Sequence, residues 1–354
     1  MIGRFYAGTL VALGCALPVA AAGQEAPPVD IGGLLRVGAL THADSADGPD
    51  GFRLFEARVK VSGKIGIVFD YYFQTRYDPE DDALEIHDAI ARLPLIPEME
   101  LSLGLFKPSF GFEAGEHRGD LTFLDRSQAS TAIAPGRQVG LQGAGSAFDG
   151  RLEYGAGIFN GNGRTVENDG DNYMFASRVQ FNSIGTISFY DDFVVQAGAS
   201  LGYSSDTAAP LGDGIVTGDP VDAPRITTDF AGERVFWSAD LQVTYRGWAL
   251  TGEYLRADYE LAPALGGGGA SETEAYGGYV EFGYRAWGAL EGVVRYDGFQ
   301  PALGADREFM VFGMNVYPGY YAKFGLQYAT ALRDSPDAAT LSDGRFSFVA
   351  QVDF

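Results

Sequence analysis

The chain has 354 residues, a formal net charge of −22 from 47 acidic and 25 basic residues, and a single cysteine. So acidic a polypeptide disfavours nucleic acid, which is held by neutralising phosphates with Lys and Arg. One cysteine supports neither a disulfide framework nor a thiolate metal centre, and no run after residue 22 approaches the roughly 18 apolar residues of a membrane-spanning helix.

The amino terminus, with Arg4, an apolar stretch and Ala20-Ala21-Ala22, reads as a secretory signal peptide over residues 1–22. Cys15 falls inside it. Residues 23–354 show no linker, composition break or charge block, and read as a single domain.

Hydrophobic alternation then predicts sixteen strands, at 31–41, 52–62, 65–76, 84–93, 99–106, 138–146, 151–159, 173–181, 193–203, 234–246, 248–257, 275–285, 289–297, 308–317, 320–329 and 345–354. Most are about ten residues long, the length that crosses a bilayer at a tilt. In "RVFWSADLQVTYR", Val235, Trp237, Ala239, Leu241 and Val243 face one way. Arg234, Ser238, Asp240, Gln242, Thr244 and Arg246 face the other.

Connections alternate in length. "SGKIG", "SAFDG", "YRGW", "RAWG" and "YPGY" are tight turns, and between them lie long loops, the third covering about 107–136. Short turns on one rim and long loops on the other predict an all-β, transmembrane antiparallel barrel with about 16 strands in the outer membrane. Aromatic residues near strand ends, among them Tyr71, Trp248, Tyr284 and Trp287, suit interfacial girdles. The last strand, "RFSFVAQVDF", puts Phe346, Phe348, Ala350, Val352 and Phe354 on one face. That face belongs against lipid, with the strand closing the barrel on the first one.

The same parity sends Arg36, Arg58, Lys60, Arg76, Arg92, Arg178, Arg234, Arg246, Arg285, Arg295 and Lys323 into the bore. It sends Glu56, Asp70, Asp88, Glu153, Asp240, Glu253, Glu281, Glu291, Asp297 and Asp353 there as well, so the wall is nearly neutral. The excess of acid therefore lies in loops and turns, where it solvates the outer rim or binds divalent cations that bridge lipopolysaccharide.

Enzymatic readings find little support. The three histidines, His42, His87 and His117, are widely spaced, and no nucleophile elbow, zincin helix motif, phosphate loop or dinucleotide fingerprint is present. His87 and Asp88, adjacent on one strand, are expected on opposite faces. No cofactor and no metal site is expected.

The segment from 104 to 142 contains Phe106-Lys107-Pro108-Ser109-Phe110-Gly111, then Asp120-Leu121-Thr122-Phe123-Leu124-Asp125-Arg126-Ser127, then Ala134-Pro135-Gly136-Arg137-Gln138. In order and spacing these elements resemble the phosphate-selective porin O/P family, as do "FRLFEARVKVSGKIG" and "IFNGNG". The resemblance implies a homotrimer of sixteen-stranded barrels, each with its third long loop folded inward to narrow the channel. It also implies anion-binding clusters of Arg and Lys along the bore. The loop here is mixed instead: Glu113, Glu116, Asp120 and Asp125 alternate with Lys107, Arg118 and Arg126, and His117 can add a pH-dependent charge. Facing wall arginines, such a loop is expected to set up a transverse field across the narrowing. The expected function is passive diffusion of small hydrophilic solutes with modest anion preference. The alternative is a barrel occluded by its loop that acts in surface binding or adhesion.

Overall fold

The computed structural model describes residues 29–43, 50–66, 69–79, 82–161, 163, 164, 168, 171–183, 193–211, 228–261, 271–302, 306–333 and 343–354. The expected signal peptide, and much of the acidic loop sequence, lies outside them.

All sixteen predicted strands are present: β1 Val29–Thr41, β2 Gly51–Ile65, β3 Phe69–Asp78, β4 Ala83–Ile96, β5 Met99–Phe106, β6 Gln138–Ala147, β7 Leu152–Phe159 and β8 Met174–Asn182. They continue as β9 Phe193–Leu211, β10 Thr228–Tyr245, β11 Trp248–Leu261, β12 Ser271–Ala286, β13 Leu290–Gln300, β14 Arg307–Gly319, β15 Ala322–Arg333 and β16 Arg345–Asp353. Among the described residues one short helix, α1, covers Gln128–Ile133. Each strand pairs antiparallel with its chain neighbours, and β16 pairs with β1 from Leu34↔Asp353 to Thr41↔Phe346, so the sheet closes on itself. Reciprocal bonds between Gly33 and Phe354, at 2.8 and 3.0 Å, extend that seam to the last residue.

Alternation along each strand separates two environments. On β16, Phe346 and Val352 are exposed outward, while Arg345, Ser347, Val349 and Gln351 are enclosed. On β1, Leu35 and Val37 are exposed and Arg36 between them is fully buried. An apolar outer surface around a polar bore is the arrangement lipid demands, since closure leaves no sheet edge unpaired.

Two differences from the sequence expectation have local causes. A bulge opposite Gln74 and Thr75 leaves His87 as the extra residue of β4, so His87 and Asp88 are both buried instead of facing opposite ways. The β9–β10 hairpin stays paired out to Leu211↔Thr228, well into the segment expected as loop. At 19 residues, β9 is nearly twice as long as a crossing of about ten residues needs.

Candidate functional site

The chain between β5 and β6, residues 107–137, is tied to side chains on the enclosed face of the barrel wall. Pro108, with no N–H to give, follows the strand, and the backbone from Ser109 onward finds partners among wall groups. Ser109 N–H donates to Gln142 (2.7 Å) and Gly111 N–H to Ser200 (3.0 Å). Phe112 and Glu113 both point their N–H groups at the Glu253 carboxylate, at 2.7 and 3.1 Å. The carbonyls further along are taken up in turn: Gly119 by Gln351 (2.7 Å), Leu121 by Lys323, Thr122 by Asn315 (2.9 Å) and Leu124 by Arg36 (2.9 Å). A wall amide, a hydroxyl and the Glu253 carboxylate thus receive these donors, and wall cations and amides serve the acceptors. Together they meet the requirement that a buried backbone be hydrogen-bonded.

Inside the segment, Lys107 and Arg126 act as braces. Lys107 donates to the carbonyls of Ala114 (2.6 Å) and Glu116 (3.2 Å), and Arg126 to those of Glu113 (3.0 Å) and Glu116 (2.9 Å). Ser127 caps α1 by accepting from Ser130 N–H at 3.2 Å, and Asp297 of β13 accepts from the first helical N–H, Gln128, at 3.3 Å. Behind the helix, Phe110, Ile133, Phe106, Phe159, Phe236, Leu255 and Phe299 form an apolar cluster across β5, β7, β10, β11 and β13. The Phe110 and Phe236 rings meet at a steep tilt of 59°, with centroids 4.9 Å apart. A second patch packs Phe123 against Val293, Phe309 and Val311.

The predicted wall cations are present but closely partnered. Arg58 donates to Glu56 at 2.6 Å, and Arg36 and the segment's Arg118 approach the same carboxylate at 3.8 and 3.5 Å. Arg295 joins Glu113 (2.7 Å) to Glu281 (2.8 Å). Arg178 clasps Asp240 (2.6 Å), and Arg76 meets Glu85 (3.2 Å), which also takes Arg164 at 2.8 Å. Arg234 is buried against the Phe236 ring, 4.9 Å from its centroid. Asp125 is bound by Arg345 and lies 3.8 Å from Arg118. Burial alone would raise the Asp125 pKa, yet Arg345 and Arg118 outweigh it and hold the carboxyl below its usual value. Glu116 is pushed the other way, by burial and by Asp120. Asp120 itself is exposed, its N–H on the His117 carbonyl.

Two expectations are corrected here. Arg246 is not a wall residue: β10 ends at Tyr245, and Arg246 sits exposed in the turn with a φ of 47°. The transverse field is also absent where the segment meets the wall at Glu113 and Asp125, because their oxygens touch Arg295 and Arg345 directly instead of facing them across space.

The side chains missed from sequence are the uncharged Asn315, Gln327, Ser200 and Gln142, then Arg137, one residue before a predicted strand, and Arg345, the first residue of the last predicted strand. Arg137 forks onto Asp88 at 2.9 and 3.1 Å, a pairing that nothing in the sequence signals, since the Ala-Pro-Gly-Arg element carries only a resemblance.

Among the described residues, wall cations that keep solvent access toward the short turns are Lys60, Lys64, Arg92 and Arg285, with side chains 31, 72, 39 and 44% exposed. Each stands beside a carboxylate, respectively Asp353 (3.1 Å), Asp70 (3.6 Å), Glu100 (3.9 Å) and Glu291 (3.3 Å). His117 Nδ1 comes within 3.3 Å of Asp353.

Solved structures share this barrel. One is the in-vitro folded trimer form of OmpT, an outer membrane protein of Vibrio cholerae, with TM-score 0.60 and 14% identity over 93% of this chain and 100% of that one. Another is an anion-selective porin from Comamonas acidovorans, with TM-score 0.60 and 11% identity over 93 and 100%. A third is the outer membrane channel DcaP of Acinetobacter baumannii, with TM-score 0.57 and 10% identity over 93 and 97%. No curated protein sequence matches the chain. Residues 40–208, just under half of the chain, match the family described as phosphate-selective porin O and P, and this stretch takes in the whole 107–137 segment. From the end of β1 into β9 the chain is thus similar to the phosphate-selective porin O and P family, and its closed sixteen-stranded barrel is an outer-membrane porin fold.

Proposed function

We propose that this protein is an outer-membrane porin through which small hydrophilic solutes diffuse passively, a channel and not an enzyme. The observation that carries this reading is the closed barrel with an apolar outer face and a charged, hydrogen-bonding inner one. Segment 107–137 folds into the bore and narrows it, and the accessible wall charges border the remaining path. The candidate set comprises Arg36, Arg58, Lys60, Arg76, Arg92, Arg178, Arg234, Arg295 and Lys323, with Arg36, Arg76 and Arg234 enclosed behind the surface of the path. Of these, Lys60 and Arg92 retain solvent access on the short-turn side. Because both stand beside carboxylates, anion preference is modest and phosphate is not specially held. The chain reaches the outer membrane after its signal peptide is removed, and assembles there as a homotrimer among lipid and lipopolysaccharide.

Liposomes carrying the refolded protein test this. Swelling in an isotonic solution of a small uncharged sugar supports the diffusion channel. Insertion into the liposomes without any swelling would instead favour the occluded, surface-binding barrel.

A further inference from the structure

The four accessible cation–carboxylate pairs share one end of the barrel. Lys64 and Asp70 flank the β2–β3 connection, Arg285 and Glu291 flank the β12–β13 turn, and Arg92 and Glu100 lie close to the β4–β5 turn. Lys60 reaches Asp353, the last residue of β16, by crossing β1 at Gly32. A Cβ at Gly32 would collide with Lys60 Cε, so the glycine leaves room for this reach. Aromatic rings back two of the cations: Tyr72 lies 5.7 Å from Arg92, and Tyr317 lies 4.1 Å from Arg285 and donates to Glu291 at 2.7 Å.

We propose that this collar of paired charges at the short-turn mouth makes zwitterionic solutes, such as amino acids and related ammonium carboxylates, the favoured permeants. The inference rests on the diffusion-channel reading and names its substrate class. A simple ion entering the collar must compete with a partner already 3.1–3.9 Å away and leaves that partner uncompensated. A solute carrying both charges can exchange with a whole pair, its ammonium on the carboxylate and its carboxylate on the cation, and leaves neither wall charge alone. Such an exchange lowers the desolvation barrier without a deep well, which is what passage through a pore requires. An uncharged solute of equal size gains nothing from the collar.

The test compares swelling of liposomes holding the full exported chain in β-alanine, a zwitterion, and in its uncharged isomer lactamide, each corrected for protein-free liposomes. Severalfold faster swelling in β-alanine is expected, with the ratio falling toward one in the double variant Arg92→Gln, Glu100→Gln. In a KCl gradient the single variants should move the reversal potential in opposite directions. Arg92→Gln shifts it toward cations and Glu100→Gln toward anions, with the double variant returning to the parent value. Equal swelling in the two isomers would overturn the zwitterion proposal while leaving the channel intact. Absence of swelling in both would overturn the channel reading itself.

Discussion

At the scale of single residues, the interior is organised by charges that satisfy one another. Arg295 is buried between Glu113 of the segment and Glu281 of the wall. Glu113→Ala leaves this guanidinium short of a partner and removes the acceptor of Ser127 N–H. Loss of one member of such a pair costs about 3 kcal/mol, so amides of residues 107–137 should exchange hydrogen faster in this variant while those of the strands do not. Asp125 gives the segment an acid limit. Its folded pKa is lowered, so its contribution is complete above the ordinary aspartate range, near about 4, and is lost as pH falls through the lowered folded value. Protease cleavage within 107–137 should therefore rise only in strong acid, and Asp125→Asn should flatten that rise. Parity counting found most of these wall charges, because side chains alternate strictly along a regular strand. It failed at Arg246, where the count ran one residue past the strand into a turn, and at His87, where a bulge interrupts alternation. Which charge pairs with which was not legible. Glu56 meets Arg118, and Arg295 meets Glu113, across separations that depend on strand register and loop path.

At the scale of elements, strands were legible and their extents less so. The β5 range matched to the residue because the alternation ends abruptly at Lys107-Pro108. The β9–β10 hairpin ran on past its expected end because Ala, Thr, Pro and Gly carry little hydrophobic signal, whereas backbone pairing needs none. The helix α1 was not foreseen: six residues are too few for a helical period to show. Its cap is testable. Ser127→Ala removes the side-chain acceptor for Ser130 N–H and should destabilise α1 by about 1 kcal/mol, read as faster exchange confined to residues 128–133. Gly104 holds β5 to β4 in a similar sense. Its φ is 134°, and a Cβ there would strike the carbonyl of Ala89, so Gly104→Val should lower the thermal unfolding temperature of the barrel.

For the whole molecule, the outer apolar band and closure of β16 on β1 make the barrel self-sufficient as a membrane element. The bore divides into two regions. Toward β5–β13, Phe110, Ile133 and their neighbours fill space with apolar packing. At the short-turn mouth the wall carries accessible, opposed charges. Where segment and wall meet, the charges are largely compensated, and strong selectivity for one ionic sign has no structural source among the described residues. The most direct measurement is single-channel recording of the refolded chain in a planar bilayer, with the reversal potential taken in a KCl gradient. Stepwise conductance with a reversal potential near zero is predicted, and addition of low phosphate should leave the current unblocked. Insertion without current would contradict the channel, and strong anion selectivity with phosphate block would contradict the compensated bore.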